Sequence, residues 1–218
     1  TGYLEQEQYQ LDLCSSSKLI VENVINNNSL LDGNNLKDIQ IDEIQSELEK
    51  RGWNPKRKLT PEQLRNVAKL YQYNSCATFS VPGAGKTTEA LAYFCLHSKP
   101  DSKLLVLCPK NAFIAWDDDL PECINTDRMF NRLTEKEDLC KRILSNKPQF
   151  LIINYERLND SSNYTDILID FCKKHEVFVF LDESHRIKAG TGGVYGRNVL
   201  KLAPYAKQKL IMTGTPVP

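Results

Sequence analysis

From Leu59 onward, short uninterrupted apolar runs alternate with stretches of helical periodicity. The runs occupy residues 104–108, 150–153, 177–181 and 210–212. Strands without polar alternation fit a parallel sheet covered on both faces. Between them lie helix signals. Thr60-Pro61-Glu62-Gln63 opens a helix that carries Leu64, Val67, Ala68 and Tyr71 on one face. Ala90, Leu91, Phe94 and Cys95 stripe a second. Thr134 and Glu137 have the spacing of a capping box for a third, which Pro148 stops, and Ile167, Leu168, Phe171 and Cys172 mark a fourth. This alternation predicts an α/β fold: an open, mostly parallel sheet with helices on both faces, and ligands gathered at the carboxyl ends of the strands. Upstream, residues 36–51 read as an amphipathic helix with Ile41, Ile44 and Leu48 on one face and Gly52 as the stop. A basic Lys56-Arg57-Lys58 patch follows. Residues 1–35 are polar and give no clear element. The expected division is a partly helical N-terminal extension, 1–58, and one lobe, 59–218.

Two segments at predicted strand ends carry the chemistry. Residues 80–87, Ser-Val-Pro-Gly-Ala-Gly-Lys-Thr, nearly match the phosphate-binding loop, whose backbone amides hold phosphates at a helix N-terminus. Gly83 and Gly85 let the backbone approach the anion. Lys86 is placed to reach the terminal phosphates, and the Thr87 hydroxyl to ligate a divalent metal. Pro82, Ala84 and Thr88 complete the candidate cofactor-binding segment. Ser80 stands where the pattern has glycine. The second segment is the Val-Phe-Val-Phe-Leu run that ends in Asp182-Glu183. Asp182 is the candidate second metal ligand, and Glu183 the group that polarises an attacking water. A glycine-rich turn and a solvated strand end are the plain alternatives. Strand, loop, Lys-Thr and helix in the right order, followed by a second strand that delivers two carboxylates, favour a nucleotide-hydrolysing site with catalytic Lys86, Asp182 and Glu183.

Asp182-Glu183-Ser184-His185 resembles the Asp-Glu-x-His box of superfamily-two helicases. The continuation Arg186-Ile187-Lys188 is similar to that of the SWI/SNF-type DNA-dependent ATPases. Four further segments agree in order. Residues 105–116, LVLCPKNAFIAW, resemble motif Ia, with Ala115 where Asn is usual. Residues 152–158, IINYERL, resemble the threonine-tyrosine-glutamate segment, with Asn154 in place of Thr. Residues 210–216, LIMTGTP, resemble motif III. Residues 59–63, LTPEQ, resemble the adenine-reading motif, with Thr60 and Glu62 replacing Arg and Tyr.

The resemblance implies the first RecA-like lobe of a P-loop NTPase that uses ATP and Mg²⁺ and moves on duplex DNA. It implies that Gln63 reads the adenine edge, although Thr60-x-x-Gln63 is also a capping box that needs no nucleotide. His185 and Thr213-Gly214-Thr215 would couple hydrolysis to lobe movement, and Lys110, Asn154 and Lys188 would contact the nucleic-acid backbone. Trp116, at helical spacing from Ala112 and Phe113, reads as core. A second lobe, with an arginine finger, is expected from a longer protein, and other subunits are compatible with the family. The chain alone is then expected to bind nucleotide weakly and turn over very slowly. A strand-separating helicase of another superfamily-two branch, and a nucleotide-gated module of a restriction or phage-defence complex, are the alternatives.

Composition narrows the setting. Lys and Arg together number 28, Asp and Glu also 28, so the formal net charge is zero and no global basic footprint exists. Nucleic-acid contact then rests on local groups. No stretch approaches the roughly 18 apolar residues of a membrane span, and no charged-then-apolar leader opens the sequence. The seven cysteines are odd in number and form no CxxC pair, which argues against a disulfide framework and a zinc site. The expected location is intracellular and reducing, in a bacterial cytoplasm rather than a nucleus.

Overall fold

A computed structural model describes residues 39–81, 83–134, 136–187 and 189–214. The expectations placed on residues 1–35, Pro82, Lys188 and Thr215 fall outside these. The described elements are α1 (Ile41–Lys50), α2 (Pro61–Tyr71), β1 (Ser75–Thr78), α3 (Lys86–His97), β2 (Lys103–Cys108), α4 (Phe113–Cys123), β3 (Asn131–Arg132), α5 (Glu137–Ser145), β4 (Phe150–Asn154), α6 (Tyr164–Lys174), β5 (Val177–Asp182), α7 (Val194–Leu202) and β6 (Gln208–Met212). The six strands form one sheet in the order β1-β6-β5-β2-β4-β3. Every pairing is parallel. This is the open α/β architecture that the apolar runs predict.

The uninterrupted runs follow from burial on both faces. Along β2, Leu104, Val106 and Cys108 join a core with Phe150, Phe178 and Phe180 under α1 to α4. Leu105 and Leu107 point the other way, into a core with Leu151, Val179 and residues of α5 to α7. Every residue of β2, β4 and β5 is buried. The aromatic rings interlock: Phe94 meets Phe178 edge to face with centroids 5.1 Å apart, a geometry that adds to the area buried.

Helix α1 lies inside the expected 36–51 span. Ile44 and Leu48 are buried, while Ile41 is 45% exposed, so the apolar face is narrower than its periodicity suggests. Together with Trp53, whose indole donates to the Arg57 carbonyl at 2.8 Å, Ile44 and Leu48 share the core of the lobe. The extension is thus an extension in sequence whose helix packs as part of the lobe. Helix α2 starts as its sequence predicts: Thr60 Oγ1 accepts the Gln63 amide N–H, and the Gln63 side chain accepts the Thr60 N–H at 3.0 Å. The box expected at Thr134 does not form. Helix α5 begins at Glu137 with Lys136 as an uncapped N-cap, because Glu137 turns instead to Asn163, accepting its backbone and side-chain N–H groups. The edge strands β1 and β3 and helix α7 carry too little apolar periodicity to stand out in the sequence. Among the described residues no helix is long and apolar enough to cross a membrane.

Candidate functional site

Strands β1, β6 and β5 deliver the motifs to one edge of the sheet. After β1 the chain turns through Gly83 and Gly85, both at φ +83°, and enters α3. Only glycine adopts this left-handed conformation without strain. Gly85 also has no room for a side chain, since a Cβ there would sit 2.4 Å from the Gln63 amide nitrogen. A Cβ on Gly83 would meet nothing within 4 Å, so the loop keeps an open side. Backbone N–H groups at the start of α3, with the helix dipole behind them, make a ready anion site. Lys86 folds back over this loop, its ammonium 3.1 Å from the Ser80 carbonyl and 3.5 Å from that of Val81.

Asp182 ends β5. Its Oδ2 accepts the Trp116 indole N–H at 3.0 Å, its Oδ1 accepts the Glu183 backbone N–H at 2.9 Å, and its carbonyl accepts the Tyr155 hydroxyl at 2.8 Å. Burial raises its carboxyl above the ordinary range. The Trp116 bond opposes that rise, the Glu183 charge adds to it, and the Lys86 charge opposes it. Glu183 sits at φ +51°, a conformation that costs a non-glycine residue energy and clusters at functional sites. His185 Nδ1 lies 3.2 Å from Glu183 Oε2 and 3.4 Å from Thr213 Oγ1. Thr213 follows β6, which runs between β1 and β5, and its N–H donates to the Thr78 carbonyl at 3.3 Å. Glu183, His185 and Thr213 thus form a chain between the two motif strands, with Gly214 next in sequence.

Several expected residues stand in different roles. Gln63 is buried and uses both ends of its amide within the protein, accepting from Thr60 and donating to the Ala84 carbonyl at 3.2 Å. Its capping role is present, and it also ties α2 to the phosphate-binding loop. Thr88 is 1% exposed and its hydroxyl accepts from Arg57 at 3.1 Å, so its side chain is engaged within the protein. Asp119 of α4, whose carboxyl is raised by burial, lies on the side of Thr87. Asn154, expected at a nucleic-acid backbone, is 1% exposed and donates to Glu156 at 2.6 Å. A buried side chain cannot touch a phosphate from there. Lys110 is exposed at the end of β2, in keeping with an outward contact.

The network beneath the loop was not foreseen. Glu89 of α3 is 1% exposed, and its carboxylate accepts from Asn66, Thr78 and Ser80 at 2.8, 3.2 and 3.1 Å. Ser80, the departure from the glycine pattern, is therefore one of the donors that a buried carboxylate requires. Ser80→Gly, which would restore the usual residue, is expected to destabilise the chain by about 1–2 kcal/mol, the order lost when a buried acceptor loses a donor. Urea unfolding measures it. The clue in the sequence was a glutamate inside an otherwise apolar helix stripe. Trp116 is fully buried, edge to face with Phe130 at 5.9 Å. It is core, as its spacing predicts, and also a hydrogen-bond donor to the site.

The sheet that carries these groups is also found in known proteins. The chain resembles the crystal structure of the UvsW helicase from bacteriophage T4 at 14% identity, with a TM-score of 0.56, covering 84% of this chain and 62% of that one. The DUF1998 helicase MrfA is similar at 15% identity and a TM-score of 0.53, covering 84% of this chain and 30% of that one. The chain therefore spans less than two-thirds of either helicase. No curated protein sequence matches it. The family model of the SNF2-related domain matches residues 30–218, and with the helicase-like sheet and both motifs at its edge, the chain belongs to the SNF2-related domain family.

Proposed function

We propose that this lobe binds ATP and Mg²⁺ in a motor that couples hydrolysis to movement along duplex DNA. The observation that carries this reading is that the glycine loop with Lys86, which follows β1, and Asp182, which ends β5, fall at the same carboxyl ends of parallel strands separated only by β6. The amides of residues 83–87 would hold the phosphates, and Lys86 would exchange its Ser80 carbonyl contact for a phosphate oxygen. Thr87 and Asp182 would hold the metal. Bound there, Mg²⁺ would neutralise charge that builds on the phosphate oxygens. Glu183 would orient water, and His185 and Thr213 would pass the state of the site towards the edge where a second lobe docks. Gln63 retains a free N–H and a free lone pair, enough to read an adenine edge while keeping its cap.

The chain's partial coverage of the helicases it resembles fits a protein in which a second lobe completes the site. An arginine finger contributes on the order of 10³–10⁵ in rate in related NTPases. Residues 1–218 alone are therefore expected to bind nucleotide weakly and hydrolyse it at least about a thousandfold more slowly than the whole protein on DNA. Steady-state ATPase assays with and without duplex DNA test this. Brisk DNA-stimulated turnover by the lobe alone would contradict it. A strand-displacement assay on the whole protein separates translocation from the unwinding that the names of both structural neighbours suggest.

A further inference from the structure

The opposite end of the sheet, where the strands begin, carries a second cluster of charge. An open pocket of about 420 Å³ lies there, bordered by Lys103 at the start of β2, Arg128 and Asn131 before and in β3, Asn146 and Lys147 after α5, and Asp101. Lys103 is 9% exposed as a residue and lines the pocket. Burial lowers its pKa, Asp101 partly restores it, and Arg128 and Lys147 lower it further. His175 is likewise held below the usual range by burial and by Lys103, Lys147 and Lys174. The carboxylate of Glu176, whose backbone carbonyl accepts the Lys103 N–H, is committed to Ser102 at 2.8 Å and Lys99 at 3.2 Å. Three basic side chains, Lys103, Arg128 and Lys147, thus line one pocket in a chain of zero net charge, with one acid, Asp101, among them; Arg128 also donates to the Gln149 side chain there.

The backbone supports a special role. Lys147 sits at φ +52°, and among the described residues Glu183 is the only other non-glycine with positive φ. Glycine or asparagine is the usual choice just past a helix end in this conformation. A lysine stands there instead, and with Lys103 and Arg128 it lines the same pocket.

We propose that this pocket is an anion site that takes a phosphate group, held by Lys103, Arg128 and Lys147. The phosphate is either the phosphodiester of a nucleic acid or a free phosphate. The six residues of β2 place it about 20 Å from the nucleotide crevice, at ~3.3 Å per residue. It is independent of the proposed motor function.

The test uses a Lys86→Ala chain throughout, so that the phosphate-binding loop does not compete. Inorganic phosphate and, separately, a duplex oligonucleotide are titrated while the backbone amide NMR signals of Asn131 and Lys147 are followed. Saturable shifts at these amides are expected from at least one probe. Lys103→Gln and Lys147→Gly should each weaken them at least tenfold. Lys147→Gly should do so with an unchanged or raised thermal midpoint, because glycine suits the left-handed position, so loss of binding cannot be loss of fold. Tighter binding of the oligonucleotide, falling steeply with salt, assigns the site to a phosphodiester. Binding of phosphate with no response to the oligonucleotide assigns it to a free anion. Either supports the site. Silence from both probes, or shifts that survive both substitutions, would overturn it.

Discussion

Glu183→Gln in the whole protein is expected to stop ATP turnover while leaving nucleotide binding intact, whereas Lys86→Ala is expected to lose both. The split follows from where the two groups stand. Lys86 bridges the loop carbonyls of Ser80 and Val81 at the mouth of the cradle, where a triphosphate would replace them. Removing it deletes a charge-assisted contact worth about 1.5–3 kcal/mol, roughly ten- to a hundredfold in affinity. Glu183 stands beyond the Asp182 carboxylate, turned by its positive φ towards His185. Among the described residues its side chain pairs with His185 and with no group of the cradle. A positioned general base contributes on the order of 10²–10⁴ in rate, and the amide keeps the shape without the basicity. Fluorescent-nucleotide binding and steady-state turnover, measured on both variants, test the assignment. Equal loss of binding in the two would refute it.

Trp116→Phe should lower turnover about tenfold to a hundredfold and raise the Mg²⁺ concentration required, the scale on which groups behind a metal ligand act. Phenylalanine keeps most of the ring that packs on Phe130, but it removes the N–H that holds Asp182 Oδ2. That bond stabilises the ionised carboxylate, so its loss should raise the Asp182 pKa further above the ordinary value. The sign for stability follows. A carboxyl whose folded pKa lies above its unfolded one binds its proton more tightly when folded. It favours folding most below the unfolded value, and that advantage disappears as pH rises through the folded one. The variant should therefore be penalised more at neutral than at acid pH. Carboxyl ¹³C titration of Asp182 and thermal unfolding against pH measure both. Unchanged titration would mean that the indole is packing alone. Trp116→Ala should instead destabilise the fold by about 3–5 kcal/mol, the range for emptying a large aromatic site.

The sheet was legible because its central strands are buried on both faces. Burial of that kind demands runs such as 177–181, with no polar residue to confuse the period. Edge strands escape the same reading: β1, Ser75–Thr78, is half exposed, and β3 is two residues long. The site was legible where chemistry restricts residue type, at Gly83, Gly85, Lys86, Asp182 and Glu183. It was obscure where a residue type serves more than one purpose. Asn154 at a strand end looks like a surface amide, and only the fold shows it turned in against Glu156. Trp116 looks like core and is core, but the polar edge of its ring finds Asp182 sixty-six residues away. Ser80 looked like a weakened glycine, and its purpose depends on Glu89, nine residues on, and on Asn66 from another helix. Long-range partners of this kind leave no local periodicity to detect.

A crystal structure of this chain with Mg²⁺ and a non-hydrolysable ATP analogue tests the central claim most directly. The phosphates should lie against the amides of residues 83–87, with Lys86 withdrawn from the Ser80 carbonyl and the metal between Thr87 and Asp182 with the Trp116 bond kept. Nucleotide bound elsewhere, or a metal that engages neither Thr87 nor Asp182 while Lys86 stays on the loop carbonyls, would contradict it.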